Sequence, residues 1–147
     1  MRRSLLAAVA VVGLVVAGCG EDDPYADYCE EVKAQQKSLT EIRAAGGPTA
    51  LIDSLPSFEA LEEKSPRDLR DEWETVTRRI SVLIGALEDA GLDPETYDSL
   101  NPPDDVSEDE LTVIDAAARE LASAPMIVAL NGVEQHALDV CKTPLSL

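Results

Sequence analysis

Residues 69–90 read LRDEWETVTRRISVLIGALEDA. Their apolar side chains recur at alternating steps of four and three residues, in the order Leu69, Trp73, Val76, Ile80, Leu83, Leu87 and Ala90. This spacing lines one apolar seam along a helix and is typical of a helix that packs in a bundle. Ser65-Pro66 predict an N-cap followed by the first helical residue, and Gly91 and Pro94 predict the end.

Helical spacing also precedes this segment. The first apolar series stops at Gly46-Gly47-Pro48 and contains Tyr25, Tyr28, Cys29, Val32, Leu39 and Ile42. Two short helical pieces are expected next, one on each side of Pro56, because proline interrupts a helix interior.

Helical spacing follows it as well. Ser107 and Glu110 predict a capping box that starts another helix, with Leu111, Ile114, Ala118 and Leu121 facing inward. Ser123 and Pro125 then start a last helix, whose expected inward residues are Ile127, Leu130, Val133, Ala137, Val140 and Cys141. A β-hairpin turning at Asn131-Gly132 is an alternative for residues 126–138. The whole pattern predicts an all-α fold, a small bundle of about four helices.

A short leader precedes the helices. Arg2-Arg3 give it a positive start, and the apolar run from Leu5 to Ala17 is 13 residues long, short of the roughly 20 that cross a bilayer. The run ends at Val16-Ala17-Gly18-Cys19. This leader resembles bacterial lipoprotein signal sequences, whose lipobox places small residues before a cysteine that accepts the lipid. The resemblance implies cleavage before Cys19 and a protein anchored on the outer face of the cell membrane.

The leader divides the chain into a signal peptide at residues 1–18, an acidic tether at 19–24 and one helical domain at 25–147. The leader holds two of the 12 basic residues and none of the 29 acidic ones, so the mature chain has a net charge near −19. Such a surface repels nucleic acid and anionic lipid headgroups. The expected contact with the membrane is therefore the lipid on Cys19, with no nucleic-acid partner.

Two cysteines remain besides Cys19. Cys29 and Cys141 lie near the two ends of the domain, and an exported protein folds under oxidising conditions, which favours a disulfide between them. The alternatives are a catalytic thiol or a metal pair. The single histidine, His136, is five positions from Cys141, and three such ligands are too few for a closed zinc site.

The mature chain as a whole resembles small, mostly uncharacterised helical lipoproteins and secreted proteins of actinobacteria. The resembling pieces are Tyr28-Cys29-Glu30, the segment from Ser65 to Trp73, and Asp139-Val140-Cys141. In that group an early and a late cysteine flank a bundle of about four helices. The resemblance implies export and this fold, and carries no activity.

No catalytic or cofactor motif is recognised in the sequence, and we expect no enzyme, no catalytic residue, no metal ligand and no cofactor. His136 and Trp73 are expected to pack in or beside the core. The main alternative is an acidic loop at residues 93–110, which contains Asp93, Glu95, Asp98, Asp104, Asp105, Glu108, Asp109 and Glu110. Its spacing departs from that of a calcium-binding loop, which favours a solvated acidic surface.

These features predict a lipid-anchored protein-binding or scaffolding module of the cell envelope, with an envelope protein as its partner. The alternative is a lipoprotein that binds a small ligand or divalent cation in the bundle interior or in the loop at residues 93–110.

We expect Cys19→Ala to abolish lipid attachment and signal-peptide cleavage, because the thiol is the acyl acceptor. Metabolic labelling with a tagged fatty acid, followed by membrane fractionation, measures both. A labelled and processed Cys19→Ala protein would contradict the lipobox interpretation.

Overall fold

The computed structural model describes residues 23–145 and 147. The predicted signal peptide and Cys19 lie outside the described residues. The described chain forms five helices and no strand, which confirms the all-α prediction. The helices are α1 (Ala26–Ala45), α2 (Ala50–Lys64), α3 (Arg70–Asp89), α4 (Glu108–Leu121) and α5 (Ala124–Asp139).

The expected count of about four helices is corrected to five because α2 is continuous. Pro56 lies inside α2, so the two short pieces predicted around it are one helix. The proline removes one intrahelical hydrogen bond, at a cost of about 3 kcal/mol. Its ring is exposed, while Phe58 and Leu61 beyond it are fully buried, and their burial offsets that cost only if the helix continues.

Helix α3 is the central element, since it packs against α2, α4 and α5. Its predicted seam is the core: Trp73, Val76, Ile80 and Leu87 are fully buried. The predicted start is wrong by one turn. Residues 66–69 form a separate turn in which the Leu69 N–H donates to the Pro66 carbonyl (3.1 Å), and Ser65 does not cap α3.

The start of α4 follows the prediction. The Ser107 hydroxyl accepts from the Glu110 N–H, and the Glu110 carboxylate accepts from the Ser107 N–H (2.8 Å). Ile114 is buried and Leu121 packs against the core, as predicted, but Ala117 is buried in place of Ala118, which is exposed.

Helix α5 excludes the hairpin alternative, because Asn131 and Gly132 lie within it. Its buried arc is Met126, Ala129, Val133 and Ala137. Ile127 and Val140, which the sequence placed inward, are exposed, whereas Leu130 packs against the core from a partly buried position.

The disulfide joins Cys29 in α1 to Cys141 just after α5, with Cα atoms 5.0 Å apart. Lys142 then takes a left-handed conformation (φ 54°) and turns the chain back along α1. The Gln36 side chain donates to the Pro144 carbonyl (3.0 Å), and Arg43 donates to the Leu147 carbonyl (2.8 Å). Leu145 is only 2 % exposed, so the tail after α5 completes the core.

In the described part of the chain, none of the helices combines the length and apolar character that crossing a bilayer requires.

Reduction of the disulfide should lower the free energy of unfolding substantially. The bridge spans 112 residues, and loop entropy assigns a bridge of this span about 4–5 kcal/mol. Urea unfolding of the oxidised and reduced protein measures the difference, and the Cys29→Ser/Cys141→Ser variant, which should be insensitive to reductant, is the control. Free thiols at both positions in protein isolated from the envelope would contradict this pairing.

Candidate functional site

His136 lies where the end of α5 meets the start of α1. Its side chain is 14 % exposed, and the edges of Tyr25 and Tyr28 pack against it at centroid distances of 5.3 and 5.7 Å. Its Nε2 atom is 3.9 Å from the Asp68 carboxylate, and Nδ1 is buried with no hydrogen-bond partner within the described structure. Aromatic packing thus holds the ring, and neither ring nitrogen is placed against a nucleophile.

The core below His136 contains a buried polar contact. The Trp73 indole N–H donates to the Tyr28 hydroxyl (3.1 Å), and both residues are almost completely buried. Phe58 packs on Trp73 with ring centroids 5.7 Å apart. Burial raises the pKa of Tyr28 to about 12, against the opposing effect of the hydrogen bond from Trp73. Trp73 is therefore a core residue, as the sequence predicted.

Some acids of the loop at residues 93–110 accept hydrogen bonds within local turns. Asp93 accepts from the Glu95 N–H (3.0 Å), and Asp98 accepts from the Asn101 amide (2.7 Å) and the Leu100 N–H (2.9 Å). These bonds hold the pKa of Asp98 below its ordinary value. Over the described residues, no three His, Cys, Asp or Glu side chains cluster so as to hold a metal ion.

Tyr97 from this loop covers one end of the bundle. It packs with Leu83, Leu87 and Ile114 in a second apolar cluster. Beside it lies a cavity of about 160 Å³ lined by residues of α2, α3, α4 and the loop. Cavities that bind drug-sized ligands hold about 300–1,000 Å³, so this one suits only a much smaller molecule.

An open groove of about 610 Å³ runs between α3 and α4, and we call it the α3–α4 groove. Val82 from α3 and Val113 from α4 line it and are 56 % and 58 % exposed. Between them lie small residues, Gly85 and Ala86 of α3 with Ala116 and Ala117 of α4. Large exposed apolar side chains around a concave surface mark an interaction site more often than scattered ones do.

One end of the groove is fixed by Arg79. Its guanidinium donates to the Glu120 carboxylate (2.7 Å), to the Glu120 carbonyl (3.0 Å) and to the Ser123 hydroxyl. Its side chain is largely buried, so these bonds hold the junction between α4 and α5 against the middle of α3. The position of the α4 wall of the groove follows from this contact.

The α3–α4 groove was not predicted from the sequence. Val82 and Val113 each come one residue before a seam residue, Leu83 and Ile114, so both belong to apolar pairs of which a helix can bury only one member fully. That excess of apolar residues beside the seam was the available signal. The pairing of α3 with α4, which brings the two valines to one groove, required the structure.

No protein family, curated protein or solved structure matches this chain.

Between about pH 10 and 12 the protein should lose stability through Tyr28. The folded protein holds the phenol proton to a pKa of about 12, whereas the unfolded chain releases it near 10.0. The stabilisation is therefore complete below pH 10 and falls by on the order of 2 kcal/mol as the pH rises through 12.

Urea unfolding at several pH values measures this loss. Tyr28→Phe should be less stable at neutral pH, since Trp73 loses its acceptor, but should lose less stability from pH 10 to 12. Tyr97→Phe, at a partly exposed phenol, is the matched control and should keep most of the wild-type decline. Equal declines in wild type and Tyr28→Phe would contradict the assignment.

Proposed function

We propose that this protein is a lipid-anchored, non-enzymatic binding module on the outer face of the cell membrane, whose α3–α4 groove docks another envelope protein. The leader ending in Cys19 supports the anchor. The single observation that carries the binding role is the open groove between two exposed valines. Protein-binding surfaces combine such an apolar centre with a polar rim.

The orientation of the fold suits this role. Tyr25, at the end of the tether, lies beside Asp68 just before α3, with 3.5 Å between its hydroxyl and that carboxylate. Val82 is about four turns farther along the chain, so the groove lies about 20 Å from the tethered end along the axis of α3. A lipid on Cys19 would thus leave the groove at a distance from the anchored end of the domain.

The alternative is a small-ligand or divalent-cation binder. The acidic loop and the cavity of about 160 Å³ favour it. Against it, several of the loop acids already accept hydrogen bonds from their own turns. A cation would have to compete with these bonds for the carboxylate lone pairs, and the cavity is too small for most metabolites.

A cross-linking experiment in intact cells tests the proposal directly. A photo-reactive phenylalanine at position 113 should link reproducibly to one protein, whereas the same group at position 30, on the exposed side of α1, should not. If position 113 yields no protein neighbour, or if both positions link to the same proteins, the docking role is wrong.

Thermal unfolding with millimolar Ca²⁺ or Mg²⁺ distinguishes the alternative. A cation at one hundred times its dissociation constant stabilises a protein by about 2.7 kcal/mol, which shifts the melting temperature by several degrees. We expect no such shift. A shift that Asp98→Asn removes would favour the cation binder, with Asp53→Asn on α2 as the control.

A further inference from the structure

We propose that the occupant of the α3–α4 groove is a basic amphipathic helix of another protein, of which about two turns lie in the groove. The proposal rests on the proposed function and specifies its partner. Three observations point to this occupant: the shape of the groove floor, the charge of its rim, and the net charge of the whole chain.

The floor suits the side chains of a helix. Gly85, Ala86 and Ala116 project little, and a Cβ atom built on Gly85 meets no atom within 4 Å. The floor therefore has room for leucine-sized side chains at three- and four-residue spacing, with Val82 and Val113 on the two sides. Along α4 the lining residues run from Val113 to Glu120, about 10 Å, and those of α3 from Val82 to Asp89 cover the same length, which corresponds to about two turns of helix.

The rim is acidic. Asp89 of α3 and Glu120 of α4 line the groove, and Asp109 lies one turn before Val113 on the same face of α4. The Arg79 guanidinium already binds Glu120, and Arg78, one turn before Val82 on α3, is paired with Glu74, so Asp89 and Asp109 carry the negative charge of the rim. Lysine and arginine residues flanking the apolar face of a partner helix would meet these carboxylates.

The net charge of the chain, −17 including the leader, disfavours the other occupants. A second copy would bring an equally acidic surface to the groove, and anionic lipid headgroups would be repelled in the same way. A basic helix combines the apolar surface that the groove requires with the opposite charge.

A labelled peptide provides the test. The probe is a synthetic amphipathic helix of about 14 residues with leucines on one face and lysines on the other, long enough to become helical when bound. Its fluorescence anisotropy with the purified protein should show saturable binding that weakens with salt. A peptide with glutamate in place of every lysine should bind at least about tenfold more weakly.

Gly85→Leu is the decisive variant because it fills the groove without threatening the fold. Leucine favours a helix interior over glycine, and a Cβ atom at this position meets no neighbour within 4 Å, so the melting temperature should not fall. Lysine-peptide binding should drop at least about tenfold in Gly85→Leu and in Val82→Ser/Val113→Ser. Asp89→Lys should weaken binding of the lysine peptide more at low salt than at high salt.

Two matched controls isolate the site. Ile127→Ser removes an exposed β-branched side chain on α5 (51 % exposed), which matches the two groove valines in exposure. Glu30→Lys reverses a charge on α1. Both should bind the lysine peptide as wild type does. Undiminished binding to Gly85→Leu, or equal binding of the glutamate peptide, would overturn the proposal. A wild-type dimer in sedimentation that Gly85→Leu dissociates would assign the groove to a second copy and overturn it as well.

Failure here is distinguishable from failure of the proposed function. If position 113 cross-links to a protein in cells but the linked segment is acidic or non-helical, the docking role stands and the basic-helix proposal falls. A linked segment with an apolar face and flanking lysines or arginines, together with peptide binding that Gly85→Leu abolishes, supports both.

Discussion

The burial of α3 on three sides is the constraint from which the other positions follow. Helices α2, α4 and α5 contact it, and its seam from Trp73 to Leu87 is closed to solvent. With only one phenylalanine and one tryptophan in the chain, few large side chains are available to fill the core, and Trp73 and Phe58 pack against each other at its centre. Helix α1 packs on α2 and joins this core through Tyr28 and the disulfide. The groove exists because α3 has more apolar surface than its three neighbours cover.

Local signals in the sequence were sufficient for most of the helices. The seam on α3, the capping box of Ser107 and Glu110, and the end of α1 at Gly46 depend on residues within one or two turns of each other. The pairing of Cys29 with Cys141 was predictable because only two cysteines remain once Cys19 is assigned to the predicted lipid attachment. The continuity of α2 was not, because the cost of Pro56 is local while the burial of Phe58 and Leu61 that outweighs it depends on α1 and α3.

The difference between local signals and long-range contacts also explains what was predictable about the surface of the protein. The burial of Ala117 in place of Ala118 in α4, and of Met126 in place of Ile127 in α5, depends on which neighbour each helix meets, because helical periodicity alone allows either member of an adjacent apolar pair to face inward. The loop at residues 93–110 drew attention by its composition, yet several of its acids serve turns and helix starts. The Arg79 contact with Glu120 and Ser123, which fixes the α4 wall of the groove, joins residues more than 40 positions apart and leaves no periodic trace in the sequence.

The position of the disulfide has a mechanical consequence for an anchored protein. Consider tension between a lipid on Cys19 and a partner bound at Val113. Ten residues along the chain it would reach Cys29, where the disulfide to Cys141 closes a covalent ring. From there the tension has two paths around the ring to Val113. The shorter path runs backwards from Cys141 through α5 to Val113. It limits the largest distance between Cys19 and Val113 to about 130 Å, against about 320 Å for the same chain with the bridge reduced. The bridge thus shortens this maximum extension by more than half, and α2, which lies in the longer path, would bear no tension once the shorter path is taut.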